Sequence, residues 1–197
     1  MKSNLKSFRM TWLVAGVLAG LSLGGRAAGA DLTAFELIKE GNRYVGEPAK
    51  NKISQIRSEK SIGQLQPNIW YIVYYDPTAS MKATEVKFGG GQMMETKRPF
   101  RLFERAGAAD RIMDPAKLKI DSNKAIEIAA KQPLLEKLTI KATKLELEKR
   151  DGAPTWIVRL YAAKLSNPNK DVDIGEVFLS AEDGKIFTID LHINRVD

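Results

Sequence analysis

The chain has no cysteine, one histidine (His192), no Asn-x-Ser/Thr sequon and no apolar run long enough to cross a bilayer. Without cysteine there are no disulfides to supplement a core and no Cys-His nucleophile, so folding must rest on packing alone. With one histidine, zinc sites and Ser-His-Asp arrangements have no candidate member beyond His192. Alternation places His192 with Thr188 and Asp190 on the polar side of a strand whose other side is Phe187, Ile189, Leu191 and Ile193, so an exposed strand histidine is expected. No metal or cofactor is expected. Asn169, Asp171 and Asp173 alternate oxygen ligands as a calcium loop does, but Ile174 stands where the turn glycine belongs and Ser180 where the closing glutamate belongs. Gly89-Gly90-Gly91 lacks the Lys-Ser/Thr ending of a phosphate-binding loop and is expected to turn a hairpin.

The longest apolar run is Trp12 to Leu23, 12 residues, against the roughly 20 that a spanning helix needs. It follows the basic residues Lys2, Lys6 and Arg9 and precedes Ala28-Gly29-Ala30, the pattern of a signal peptide cleaved after Ala30. No cysteine follows to carry a lipid anchor. A periplasmic or secreted protein without stable membrane insertion is the expectation. Four of the 31 basic residues (Lys2, Lys6, Arg9, Arg26) leave with the leader, so 27 basic and 24 acidic residues remain, net +3. That small excess does not suggest nucleic acid as a partner. It concentrates between 97 and 119, where seven basic residues (Lys97, Arg98, Arg101, Arg105, Arg111, Lys117, Lys119) face three acids (Glu104, Asp110, Asp114). A solvated connector is the ordinary reading of this stretch, and an anionic partner the functional one.

Beyond the leader the pattern runs helix, then strands, twice. Thr33 and Glu36 form a capping box, and Ala34, Leu37, Ile38, Gly41, Tyr44 and Val45 recur on one helical face. Strands are expected around Ile53 to Glu59, over Ile69 to Tyr75, and as a hairpin from Glu85 to Glu95. In the second half Asp121 or Ser122 caps a helix over Asn123 to Lys131. Alternation over 143–150, the turn Asp151-Gly152, the strand Thr155 to Tyr161 and a hairpin from Gly175 to Ile193 follow. Ala34 matches Ala125, Trp70 matches Trp156, Glu85-Val86 matches Glu176-Val177, and Gly91 matches Gly184, at offsets of 91, 86, 91 and 93 residues. These observations predict an α+β fold of two repeats, each a helix followed by strands that pack on it. The divisions are a leader 1–30, repeat 31–100, basic connector 101–119 and repeat 120–197.

Side-chain alternation places Trp70, Ile72 and Tyr74 on one face, with Trp156, Val158 and Leu160 on the equivalent face, against the helices. The opposite face carries Ile69, Tyr71, Val73 and Tyr75, with Ile157, Arg159 and Tyr161. Tyrosine and arginine combine large contact area with polar tips, so Tyr71, Val73, Tyr75, Arg159 and Tyr161 are the candidate partner-binding residues. Internal packing against the other repeat is the competing account of that face.

Residues 122–190, with a KAIEIA helix, a Gly152-to-Val158 strand of the DG-x-P-x-W-x-V kind and a closing EVFLSAEDGKI hairpin, resemble a PepSY domain. The first half resembles a diverged second copy. Trp156 stands where that family more usually has Tyr, and Gly89 to Gly91 replace the acidic-Gly turn seen at Asp183-Gly184. The resemblance implies a tandem PepSY-like protein, each repeat a helix packed on an antiparallel four-stranded sheet, similar to the β-lactamase-inhibitor-protein fold, that presents a concave sheet to a partner. It implies a peptidase-restraining or inhibitor-like role and carries no catalytic residues. The function expected is therefore non-enzymatic docking of a protein, a peptidase or another envelope protein, through a sheet face. The alternative is an envelope protein binding a small molecule or anionic ligand.

Overall fold

The computed structural model describes residues 32–98 and 108–197; the segment 1–30 expected to be a leader, and Arg101, Glu104 and Arg105 of the connector, lie outside the described residues. Helix α1 (Ala34–Gly41) precedes strands β1 (Ile53–Ser58), β2 (Ile69–Tyr75), β3 (Ala83–Gly89) and β4 (Gln92–Lys97). Helix α2 (Ser122–Ala130) precedes β5 (Ile140–Arg150), β6 (Ala153–Ala163), β7 (Asp171–Ser180) and β8 (Ile186–Leu191).

The strands form one eight-stranded antiparallel sheet in the order β4-β3-β2-β1-β5-β6-β7-β8. This corrects the expectation of two repeats, each with its own four-stranded sheet. The cause is the seam between β1 and β5, where Gln55, Ile56 and Arg57 pair with Glu148, Leu147 and Glu146. Strand β1 is thus hydrogen-bonded on both edges, to β2 and to β5, and no sheet edge remains at the centre of the molecule. The cores merge as well. Val86, Ile72, Ile56, Leu147, Trp156 and Leu179 line up across six adjacent strands, all buried, in a single apolar cluster beneath both helices.

The helix termini reinforce that union. Thr33 accepts the Glu36 amide, and the Glu36 carboxylate accepts the Thr33 amide at 2.9 Å, completing the capping box. The next two amides of α1 are satisfied from the other half of the chain. Ala34 N–H donates to Ser122 Oγ and Phe35 N–H to Asp121 Oδ1, each at 3.1 Å. Asp121 is also the N-cap of α2, so one carboxylate serves the start of both helices. Asp121→Ala is expected to cost about 1 to 2 kcal/mol in a denaturant titration, with Asp121→Asn recovering most of it.

Helix α1 is shorter than its periodicity suggests. It ends at Gly41, where the Tyr74 hydroxyl, donating to Ile38 O at 3.0 Å, occupies the space a Cβ would need. The described part of the connector lies on the strand ends: Met113 is buried with its N–H bonded to Ile53 O, and Lys119 and Ile120 both donate to Ala181 O.

At the base of the β2–β3 loop, burial alone would push the Asp76 carboxyl upward. The hydroxyls of Thr78 and Thr84, the Thr78 N–H and the Arg98 guanidinium outweigh it and hold the pKa at about 2. A depressed carboxylate stabilises the fold above its unfolded pKa and loses that contribution as pH falls through the folded value. Asp76 is expected to contribute about 2 kcal/mol above pH ~4, most of it lost by pH ~2. Asp76→Asn should flatten that part of an acid-stability profile.

Candidate functional site

Both helices lie on one face of the sheet. The opposite face is crossed by a continuous row of paired residues, one from each strand from β4 to β8: Glu95, Lys87, Tyr71, Arg57, Glu146, Ile157, Phe178 and Thr188. Every member of this row is at least partly exposed, whereas the neighbouring row on the helix side is buried from β3 to β7. The period of two along each strand, carried in register across the sheet, makes one face core and the other surface.

Strands β2 and β6 bring the sequence-predicted residues Tyr71, Tyr75, Arg159 and Tyr161 to this open face, all partly exposed. Val73 shares the face but is fully buried, packed with Ala83 between Gln55 and Glu85, so it offers no contact surface. The remaining four do not form one patch. Tyr71 and Tyr161 lie on strands three places apart, roughly 14 Å across the sheet.

Tyr71 and Tyr161 each sit under a cation. The Arg57 guanidinium lies 4.3 Å and the Lys87 ammonium 5.3 Å from the Tyr71 ring centroid, and the Tyr71 hydroxyl donates to Glu59 at 2.8 Å. Lys60 lies 4.3 Å from the Tyr161 centroid and also pairs with Asp171. Burial raises the Tyr161 pKa, with Asp173 adding to it. Arg159 donates to Glu176 at 2.9 Å and Asp173 at 3.0 Å; the Glu176 bond above all holds its pKa above the ordinary arginine value. Asp171 and Asp173, weighed from sequence as calcium ligands, are thus spent on ion pairs. Glu85 is buried between Arg57 and Lys97; among the described residues its Oε1 has no hydrogen bond, only the ammonium of Lys97 at 3.3 Å.

Towards the β5–β6 turn, on the side of Ile157 away from Tyr161, the sheet is hollowed into a concavity of about 1040 Å³ that neither tyrosine lines. Ile157, Phe178 and Thr155 floor it, Phe187 and Thr188 of β8 form one wall, and Arg111 from the connector another. Arg111 is fixed by donating to Lys149 O at 2.8 Å. At the same end Arg150 pairs with Glu148 at 3.0 Å and lies 5.1 Å from the Phe178 ring centroid. Sequence reading named Ile157 as outward-facing but missed Phe178, Phe187 and Arg111. The alternation of Glu146 and Glu148 with Leu145 and Leu147 was the available signal for this surface; the approach of the connector had none.

Strand β8 departs from simple alternation. Thr188 pairs with Phe178 but Ile186 pairs with Leu179, so Phe187 is an extra residue in a bulge. Phe187 and Thr188 therefore both line the open-face concavity, while Ile186 and Ile189 lie on the helix side. His192 follows the end of β8, exposed, with Nε2 3.3 Å from Asp190. Among the described residues no group of three or more His, Cys, Asp or Glu is disposed to hold a metal ion, and no helix is long and apolar enough to cross a membrane.

No protein-family model, curated protein or solved structure matches this chain.

Proposed function

We propose that this is an exported, non-enzymatic binding protein that docks a protein partner on the open face of its sheet. The observation that supports the reading is the asymmetry of the sheet. One face is sealed under α1 and α2, while the other carries a partly exposed row in which Tyr71, Arg57, Glu146, Ile157 and Phe178 follow one another across its middle. Aromatic and arginine side chains around an apolar floor are the composition of interface centres, and their ion pairs pre-set the rotamers a partner would otherwise have to order. The PepSY-like motifs of residues 122–190 support the same class and suggest a peptidase as the finer identity of the partner.

The test is affinity capture from envelope extract with residues 31–197, comparing wild type with the Tyr71→Ala/Tyr161→Ala double variant. Both side chains are only partly buried, so the double variant is expected to fold. A protein held by the wild type and released by the folded variant is the expected result. Retention of every partner by the variant would remove the face from consideration. Capture of nothing, together with a thermal shift on a small-molecule panel, would favour a ligand in the concavity instead.

A further inference from the structure

The two outer strands of the sheet differ in how they meet solvent. Strand β4 carries Glu95 and Lys97, and Arg98 and Pro99 follow it in sequence; charge and proline are the usual means of keeping an edge from pairing. Strand β8, Ile-Phe-Thr-Ile-Asp-Leu, has one charged residue, with Phe187 half exposed and Ile189 41 % exposed. Its outer edge is unpaired among the described residues.

The charges at that edge are complementary to their own copy. Asp190 sits directly opposite Glu176 on β7, a like-charge pairing within the sheet. Arg159 is committed to Glu176 and Asp173, which leaves Asp190 only the ring of His192 beside it. Lys185, just before β8, is exposed and forms no salt bridge among the described residues. Because Phe187 is an extra residue, Lys185 and Asp190 fall on the open side of the strand and Ile186 and Ile189 on the helix side.

We propose that β8 is a self-association edge, pairing antiparallel with β8 of a second copy about a two-fold axis that passes between Phe187 and Thr188. This register sets Ile186 against Ile189 of the second copy and Lys185 against its Asp190, each contact made twice, with every facing pair on the same side of the sheet. A register one residue away would break that match of faces. The joined molecules form a continuous sheet with all helices on one side. Phe187 and Thr188, which wall the concavity, meet at the axis, so the second copy contributes to each open-face hollow. A strand edge alone buries less than the ~1,000 Å² usual for a permanent interface, so the dimer is concentration-dependent. The inference is independent of which partner the open face binds.

Sedimentation velocity on residues 31–197 over a dilution series tests it. The wild type is expected to pass from monomer to dimer as concentration rises. Asp190→Lys sets lysine against Lys185 across the axis and should raise the dissociation constant about tenfold or more, with thermal unfolding unimpaired because the clash with Glu176 is relieved. The swap Lys185→Asp/Asp190→Lys restores opposite charges and should restore the dimer. A wild type that stays monomeric throughout, a dimer indifferent to Asp190→Lys, or a charge swap that fails to restore it would each overturn the proposal.

Discussion

Trp156→Ala is expected to lower the unfolding free energy by about 3 to 5 kcal/mol, read from the midpoint of a denaturant titration. Trp156 is fully buried in β6, in the row that runs from Val86 to Leu179 across the sheet. Its Nε1 donates to Ile120 O at 2.7 Å, and its ring stacks with Phe35 of α1 at a centroid separation of 6.2 Å. Truncation therefore leaves a cavity, orphans the Ile120 carbonyl and strips the packing from a helix of the other half of the chain. Because that core is shared, the loss should appear in a single cooperative transition. Two separated transitions, with only the second half destabilised, would contradict a common core.

Gly175→Ala should be at least as damaging, by about 3 kcal/mol or more, and its effect should be local in hydrogen exchange. Gly175 has φ +110°, and a Cβ there would lie 2.0 Å from the Asp190 carbonyl oxygen of β8. The position is next to a register shift, where Leu160 pairs with Gly175 but Tyr161 with Asp173. The chain uses the missing side chain to bring two backbones together at this irregularity. Backbone strain of about 1 to 3 kcal/mol adds to a clash with main chain that no rotamer change relieves. The amides of Ile186–Leu191 should lose protection first, while those of β1 and β5 at the centre remain slow.

Much of the local structure was legible in the sequence. The bounds of β2, the capping box at Thr33 and Glu36, and the burial of Trp70, Ile72, Tyr74, Trp156, Val158 and Leu160 all follow from period and turn chemistry, and the structure agrees. The seam was not legible. Nothing in Gln55-Ile56-Arg57 says that its partner lies about 90 positions away at Glu146-Leu147-Glu148 rather than in solvent. Pairing between distant strands is a tertiary choice that alternation does not encode, and a single sheet replaced the expected two for that reason. Alternation also assigned Val73 to the open face without revealing that its neighbours cover it. The bulge at Phe187 defeated the even count that grouped Phe187 with Ile189, and in doing so moved an aromatic side chain into the concavity. Of the candidate site, the tyrosines and Arg159 were readable, and the hollow towards the β5–β6 turn was not.

The account stands on the open face being the surface that meets a partner. A photoreactive amino acid placed at Ile157, in the centre of that face, and separately at Lys124, exposed on α2, compares the two faces directly in cells that make the protein. A specific crosslinked adduct from position 157 and none from position 124 is the predicted result. Adducts from position 124 alone would place the partner on the helices and contradict the account.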